Sequence, residues 1–457
     1  MKKFLKKILP ESLKLYYHKL TADLANIIYG YPSRKMIVIG VTGTNGKTTT
    51  CHFIYNILKN AGYKVGMMTT TTLALGSKKW VNKTRLTTFA PMELNKLLKR
   101  MVNASCEYAI LETSSHAAIQ YRTKGIAYDV CVITNITREH LDYHKTFDEY
   151  KESKRIILAT PYKSFRKPHV LKQVVLNRDE SNYEYLSQVK ADRKFRYGIL
   201  RGDIIAERIN YHTTSSDFLA KTPFGNKRIT INLPGRFNVY NALAAITTTV
   251  ALAIDLETIR IGLLKTLGVP GRMEKISPDK KLENKLDFNV IVDFAHTPDA
   301  FYQIFETIRN VQKNRLICVF GSAGERDKSK RPLLGNLAGT HAQIVIITSE
   351  DPRSEDLKMI MQSIKKGVLQ GEKGKNLING ENLFLIEDRK EAIKKALEIA
   401  QTGDLVMILG KGAEQTQDLK SGKIPWDDRK ITRELLNQLL KNKPEFRNQN
   451  DESNQKI

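Results

Sequence analysis

The chain has 457 residues, with 74 Lys and Arg against 48 Asp and Glu, a formal net charge of +26, and a 41% hydrophobic share. That is the composition of an ordered globular protein with room for two or three domains, not of a disordered or fibrous one. No apolar run reaches the roughly 18 residues of a membrane-spanning helix, lysines interrupt any secretion-signal core at the start, and Cys51, Cys106, Cys131 and Cys318 lack paired metal spacing, as expected of reduced cytosolic thiols.

Residues 1–34 read as a short basic helical lead, broken at Pro10 and ending near Tyr31-Pro32. The β-branched run Met36-Ile-Val-Ile39 then predicts a strand that passes through a glycine loop into a helix from Thr48 to Asn60. Further strands end at Glu112, Asn135 and Asn177, alternating with helical patterns, so the sheet is expected to be mostly parallel with helices on both faces. The polar stretch 194–232 reads as an antiparallel flank. After Gly268-Val-Pro-Gly271 a second series begins, with apolar strands at Val290–Val292, Leu316–Phe320, Ile344–Ile347, Leu383–Ile386 and Leu405–Leu409. Each runs into a polar or glycine-rich loop, where open α/β sheets bind ligands. The expected layout is a lead at 1–34, a phosphate-loop α/β domain at 35–268, a Rossmann-like α/β domain at 269–441 and a polar tail at 442–457.

The lysines are spread along the chain, many beside glutamates on helical faces, with no zinc finger, RNP signature or basic zipper among them. They suit anionic small substrates better than nucleic acid.

The loop Gly43-Thr-Asn-Gly-Lys-Thr-Thr49 sits between strand and helix, where backbone N–H groups and a helix N-terminus cradle phosphates. Lys47 would reach terminal phosphate oxygens and Thr48 a Mg²⁺, although Val41 stands where the strict P-loop pattern has its first glycine. Taken singly, Glu112 and His140 are capping or surface residues as readily as metal ligands. Lys154 reads by pattern as a solvated lysine, Arg272 as a turn anchor and Arg353 as an exposed loop arginine.

This loop, with Glu112-Thr-Ser-Ser-His116, Thr134–His144, Pro234–Ala244, Val269–Glu274, Val292–Asp299, Phe320–Pro332 and Gly410-Lys-Gly-Ala-Glu414, resembles the Mur ligase superfamily. These are ATP-dependent amide-forming enzymes of peptidoglycan assembly, and the motifs occur in family order. They are most similar to the branch that adds the third amino acid to UDP-MurNAc-L-Ala-D-Glu. The resemblance implies that Gly43, Thr44, Asn45, Gly46, Lys47, Thr48, Thr49, Asn241, Arg272 and Asp293 bind ATP. It implies Mg²⁺ at Thr48, Glu112, His140 and a carbamylated Lys154, with Lys47, Glu112, His140 and Lys154 serving catalysis. Thr87, Thr88, Ser114, Gln120 and Arg122 then hold the muramyl dipeptide, while Arg326, Asp351, Arg353, Gly410 and Glu414 recognise the incoming amino acid. The arginine of Asp351-Pro-Arg353 favours meso-diaminopimelate, whose second carboxylate it pairs, over L-lysine.

Some positions depart from the family. Glu350-Asp351 replaces Asp-Asn, setting a carboxylate where it would repel the substrate's acid, and Ala413 replaces a histidine. Phe294 and Glu139 stand for Tyr and Asp. Only about 35 residues precede the phosphate loop, where relatives usually carry a uridine-binding domain, so a truncated version of that domain is expected. The whole implies a cytoplasmic, monomeric ligase without nucleic-acid partner or stable membrane insertion. Two alternatives remain: a related ligase with a lipid-linked or folate-like acceptor, and a non-enzymatic basic scaffold for nucleic acid or membrane.

Overall fold

The β-branched run after residue 36 forms β1 (Ile37–Thr42), flanked in parallel by β5 (Tyr108–Glu112) and β6 (Val130–Ile133), with Val38 opposite Ala109 and Gly40 opposite Cys131. This computed structural model describes residues 11–84, 86–137, 146–309 and 314–442. The chain divides into two units, Met1–Tyr211 with Ser215–Leu267, and His212–Thr214 with Gly268–Ile457.

The first unit is built on one eleven-stranded sheet. The other strands are β2 (Val65–Met68), β3 (Thr72–Leu75), β4 (Lys78–Val81), β7 (Gln173–Asn177), β8 (Arg193–Gly198), β9 (Ile204–Tyr211), β10 (Ser216–Thr222) and β11 (Gly225–Ile231). Their order is β11-β10-β9-β8-β7-β6-β1-β5-β2-β3-β4. The antiparallel flank expected over 194–232 needs correction. It is antiparallel from β9 onward, where β9, β10 and β11 pair antiparallel in succession, but β8 pairs in parallel with both β7 and β9. The small hairpin extension β3–β4 lies at the other edge.

Strands buried on both sides need helices on both faces. The helix Lys47–Asn60 buries ten residues, among them Phe53, Ile54 and Ile57, and packs against the helices Arg236–Ala251 and Leu256–Leu264. Gly262 is required there, since a Cβ would strike the backbone of Ile57. The helix Phe147–Lys163 starts at Thr146, whose hydroxyl accepts from Glu149 N, with Asp148 and Glu149 complementing the helix dipole. At the N-terminal end of β6, Asp129 is fully buried and paired with both Lys167 and Lys172. That is the end opposite the ligand-binding edge.

Within the lead, the helix Glu11–Ile28 spans 18 residues between Pro10 and Tyr31-Pro32.

The second unit has a six-stranded sheet, β12-β13-β17-β14-β15-β16. Its strands are β12 (Glu274–Lys275), β13 (Asn289–Asp293), β14 (Leu316–Phe320), β15 (Ile344–Ile347), β16 (Leu383–Leu385) and β17 (Leu405–Leu409). All are parallel except β12. Arg389 is fully buried and ties its ligand edge together. It grips Asp428 through two bonds of 2.8 and 2.7 Å and donates to the carbonyls of Ser349 and Leu409, just beyond β15 and at the end of β17.

Candidate active site

Because β1, β5 and β6 are parallel neighbours, the segments leaving their C-terminal ends share one edge. Those segments are the loop 43–46, Glu112–Ser114 and Thr134–Thr137. Gly43 and Gly46 have φ of 143° and 83°, in the region that favours glycine. A Cβ on Gly43 would strike the Thr134 hydroxyl, and one on Gly46 the Asn241 side-chain oxygen. Asn241 therefore meets the phosphate loop directly, from a buried position on Arg236–Ala251.

The loop is braced from β6. Thr44 N donates to the Asn135 carbonyl and Asn45 N to Asn135 Oδ1, both at 2.9 Å, and Thr134 Oγ1 donates to the Asn45 carbonyl at 2.6 Å. The Thr44 hydroxyl accepts from Thr137 N and lies 2.9 Å from the Tyr150 hydroxyl. Thr134, Asn135 and Thr137 belong to the motif Thr134–His144, but nothing in the sequence assigned them a bracing role; the adjacency of β1 and β6 brings them to the loop across about 90 residues.

Two amino groups converge on the loop. Lys47 Nζ donates to the carbonyls of Gly43 and Thr44 at 2.9 and 2.7 Å, and Lys154 Nζ donates to the Gly43 carbonyl at 2.8 Å. Lys154 is not the solvated lysine its local pattern suggests: it is 1% exposed, because its helix lays that face against β1. Thr49 continues the helix, buried.

Thr48 Oγ1 donates to Glu112 Oε2 at 3.0 Å, with both residues buried. Glu112 also accepts from Thr70 N and Thr70 Oγ1, at 2.8 and 3.0 Å. A hydroxyl and a carboxylate beside a phosphate loop are the hard oxygen donors Mg²⁺ prefers. The described residues contain no group of three or more His, Cys, Asp or Glu able to hold a metal. That donor set fits a cation whose remaining ligands are nucleotide oxygens and water. His140 lies outside the described residues. Cys51, one turn along the helix, is no nucleophile: burial, then the nearby Glu112, pushes its thiol well above the ordinary 9.0.

The residues expected to hold the acceptor adjoin Glu112. Thr87 accepts from Thr70 Oγ1 at 3.0 Å, and Thr88 Oγ1 donates to the Glu112 carbonyl and accepts from Ser114 N, both at 3.1 Å. Ser114 caps the short helix Ser115–Ile119. Arg122 donates to the Thr88 carbonyl at 2.8 Å and to Gln120 Oε1 through Nε and Nη2. A carboxylate end, hydroxyls and a guanidinium thus lie in one connected set.

The remaining expected residues belong to the second unit. Asp293 accepts from Met273 N at 2.6 Å and Ala295 N at 2.7 Å, and burial pushes its carboxyl above the ordinary 3.8 despite the opposing charge of Arg272. Arg272 lies 4.5 Å over the Phe294 ring, and its buried Nε has no hydrogen-bond partner among the described residues. Gly410, at φ 112°, donates to the Asp293 carbonyl at 3.1 Å, so these residues line one edge.

The carboxylate of Asp351, expected to repel an acidic substrate, is already paired. Lys411, with no exposed side-chain surface, donates to Asp351 at 2.7 Å and to Glu414 at 2.9 Å. Asp418 N adds a bond to Asp351 at 2.8 Å. Arg353, held at φ 54°, donates to the Gly324 carbonyl at 3.0 Å and faces Asp418 at 3.9 Å. Arg326 is exposed, two residues beyond Gly324. Lys411 was overlooked in the sequence, although its place inside Gly410-Lys-Gly412 marks it.

Residues 41–249 match the Mur ligase middle domain and residues 271–412 the Mur ligase glutamate ligase domain. A UDP-N-acetylmuramoyl-L-alanyl-D-glutamate–2,6-diaminopimelate ligase from Clostridium botulinum is 38% identical over 424 residues, covering 92% of this chain and 82% of its own length. The chain belongs to the Mur ligase family. This Mur ligase is also 38% identical over 432 residues to a UDP-N-acetylmuramyl-tripeptide synthetase from Roseiflexus sp., with the same coverage. A solved diaminopimelate ligase superposes with a TM-score of 0.63 at 29% identity, over 92% of this chain and 83% of that one. A folylpolyglutamate synthase from Mycobacterium tuberculosis, 16% identical, shares the fold with a TM-score of 0.65 over 93% and 96% of the two chains. Family membership makes the Mur ligase an ATP-dependent ligase.

Proposed function

We propose that this Mur ligase adds the third amino acid, meso-diaminopimelate in preference to L-lysine, to UDP-MurNAc-L-Ala-D-Glu in peptidoglycan precursor synthesis. One observation carries the reading above the others: the phosphate loop, the Thr48–Glu112 pair and the Thr88–Ser114–Arg122 set form a single bonded cluster.

The γ-phosphoryl group of ATP passes to the D-Glu side-chain carboxylate, giving an acyl phosphate and ADP. The amine of the incoming amino acid attacks that carbonyl, and the tetrahedral intermediate expels phosphate. The protein's part is to place the reacting ends and stabilise charge. Lys47 turns from the Gly43 and Thr44 carbonyls toward the terminal phosphate, while the loop N–H groups and Asn241 hold the nucleotide. Arg272 and Asp293 serve phosphate and ribose. Thr48 and Glu112, joined by His140 and a carbamylated Lys154, would hold Mg²⁺. Bound there, the cation offsets charge on the transferring phosphoryl group. Thr87, Thr88, Ser114, Gln120 and Arg122 fix the acceptor so that its carboxylate stays in line.

For the amino acid, Lys411 removes the objection to Asp351 by neutralising it, leaving Arg353 to pair the second carboxylate of diaminopimelate. Arg326, Gly410 and Glu414 complete that subsite. The same reading places the ATP-binding domain at 35–268 and its partner domain at 269–441, in a cytoplasmic monomer.

The test is an ATP-dependent ligation offering UDP-MurNAc-L-Ala-D-Glu with meso-diaminopimelate and L-lysine together, products separated by mass. The diaminopimelate product should exceed the lysine product at least about tenfold, the scale of a buried bidentate contact. Equal incorporation would remove the basis for Arg353. Turnover only with a lipid-linked or folate-like acceptor would replace the muramyl nucleotide.

A further inference from the structure

The helix Glu11–Ile28 is two-faced. Successive residues turn by about 100°, which gathers Tyr16, Tyr17, Leu20, Leu24, Ile27 and Ile28 into one stripe, each 50–62% exposed. Elsewhere in the described chain the exposed large hydrophobic residues fall in ones and twos along the sequence. The opposite side of the helix buries Ala22, Ala25 and Asn26. Asn26 Nδ2 donates to the Lys124 carbonyl at 2.9 Å, and Asp23 pairs with Lys124. The helix is therefore pinned, and rolling it to hide the stripe would break these contacts. A continuous apolar strip about 18 Å long, at 1.5 Å per residue, faces outward.

Charge decides what covers it. Lys19 flanks the stripe, exposed, and Arg34 and Lys35 are exposed just beyond the helix. In sequence, Lys2, Lys3, Lys6 and Lys7 precede it, and the chain as a whole carries +26. A second copy seated on the stripe would bring equal positive charge against these groups. An anionic lipid surface takes the apolar stripe into its interface and the cations at its headgroups. No described helix is long and apolar enough to cross a membrane, so the contact is one of lying on the surface. We propose that this stripe docks the enzyme on an anionic bilayer, leaving the ligase site, whose residues it does not share, to work at that surface.

The full chain is to be sedimented with vesicles of phosphatidylcholine, with and without phosphatidylglycerol, at low and high salt. Binding is expected to the phosphatidylglycerol vesicles and to weaken with salt. The double variant Leu20→Glu/Leu24→Glu should lower partition at least about tenfold, with the melting temperature and ligase turnover on soluble substrates unchanged. A Leu20→Trp variant should show a blue-shifted emission, beyond that of Trp80 and Trp426, when those vesicles are added. The proposal fails if the unmutated chain ignores phosphatidylglycerol vesicles, if the double variant binds them equally, or if the emission of the Leu20→Trp variant does not move. It fails too if light scattering shows a dimer that the double variant dissolves without any lipid binding. Ligase turnover is read separately, so loss of lipid binding leaves the enzymatic reading standing.

Discussion

At the phosphate loop Lys47 answers to backbone carbonyls, whereas on the loops after β15 and β17 the cations answer to carboxylates. Lys47 ends on the Gly43 and Thr44 carbonyls, which carry no net charge, so its positive field persists where phosphate would arrive. Lys411 lies instead between Asp351 and Glu414, and Arg353 faces Asp418. The first arrangement suits a reaction whose charge is always negative. The second is a set of exchangeable ion pairs, suited to a zwitterion that brings its own ammonium and carboxylates. It also explains why a sequence change such as Asp351 is absorbed in the second cluster: the partner is already there.

The contrast breaks most visibly at Lys47. Lys47→Ala should reduce ligation turnover about 10³-fold, the scale of a lost preorganised charge at a transferring group, with the urea midpoint unmoved. Turnover within tenfold of the unmutated enzyme would show that the standing field is not needed.

Lys411→Met tests the second cluster. It leaves Asp351 and Glu414 without their shared cation, so stability in urea should fall by about 3 kcal/mol. Adding Asp351→Asn to that variant should recover part of the loss. A fully additive second loss would mean the two residues do not act as a pair.

The smallest effect concerns Asp293. Burial raises its folded-state carboxyl above 3.8, so the folded protein holds that proton more tightly than the unfolded chain. The associated stability is fully present below pH 3.8 and is lost as pH rises through the raised value. Asp293→Asn does not titrate, so the unmutated protein should lose stability relative to it as pH climbs through that interval. A relative gain over the same interval, measured by urea unfolding, would mean that Arg272 outweighs burial.

What the sequence reveals depends on how far apart the partners are. The phosphate loop is legible because its glycines, lysine and threonines are contiguous and follow a β-branched run. The Thr48–Glu112 bond links residues 64 apart and was expected only through the family resemblance. The bracing of the loop by Thr134, Asn135 and Thr137 was not expected at all, since it follows from strand order, which local periodicity does not encode. Lys154 looks solvated in its own helix because only tertiary packing turns that face inward. β8 looks like part of the antiparallel flank because its polar pattern resembles that of β9, β10 and β11, yet it pairs in parallel on both sides. The outward stripe of Glu11–Ile28 was hidden for the opposite reason: an apolar helical face ordinarily signals a core, and only burial shows that this one has none.

Lys47 folds back on the loop that it serves. Its ammonium spans the loop, tying the Gly43 and Thr44 carbonyls together. A phosphate bound there, as proposed, would trade two neutral carbonyl bonds for charge-assisted ones, the stronger kind. The bonds that fix the lysine in place are thus of the kind a phosphate can displace, and the loop's own backbone sets the threshold.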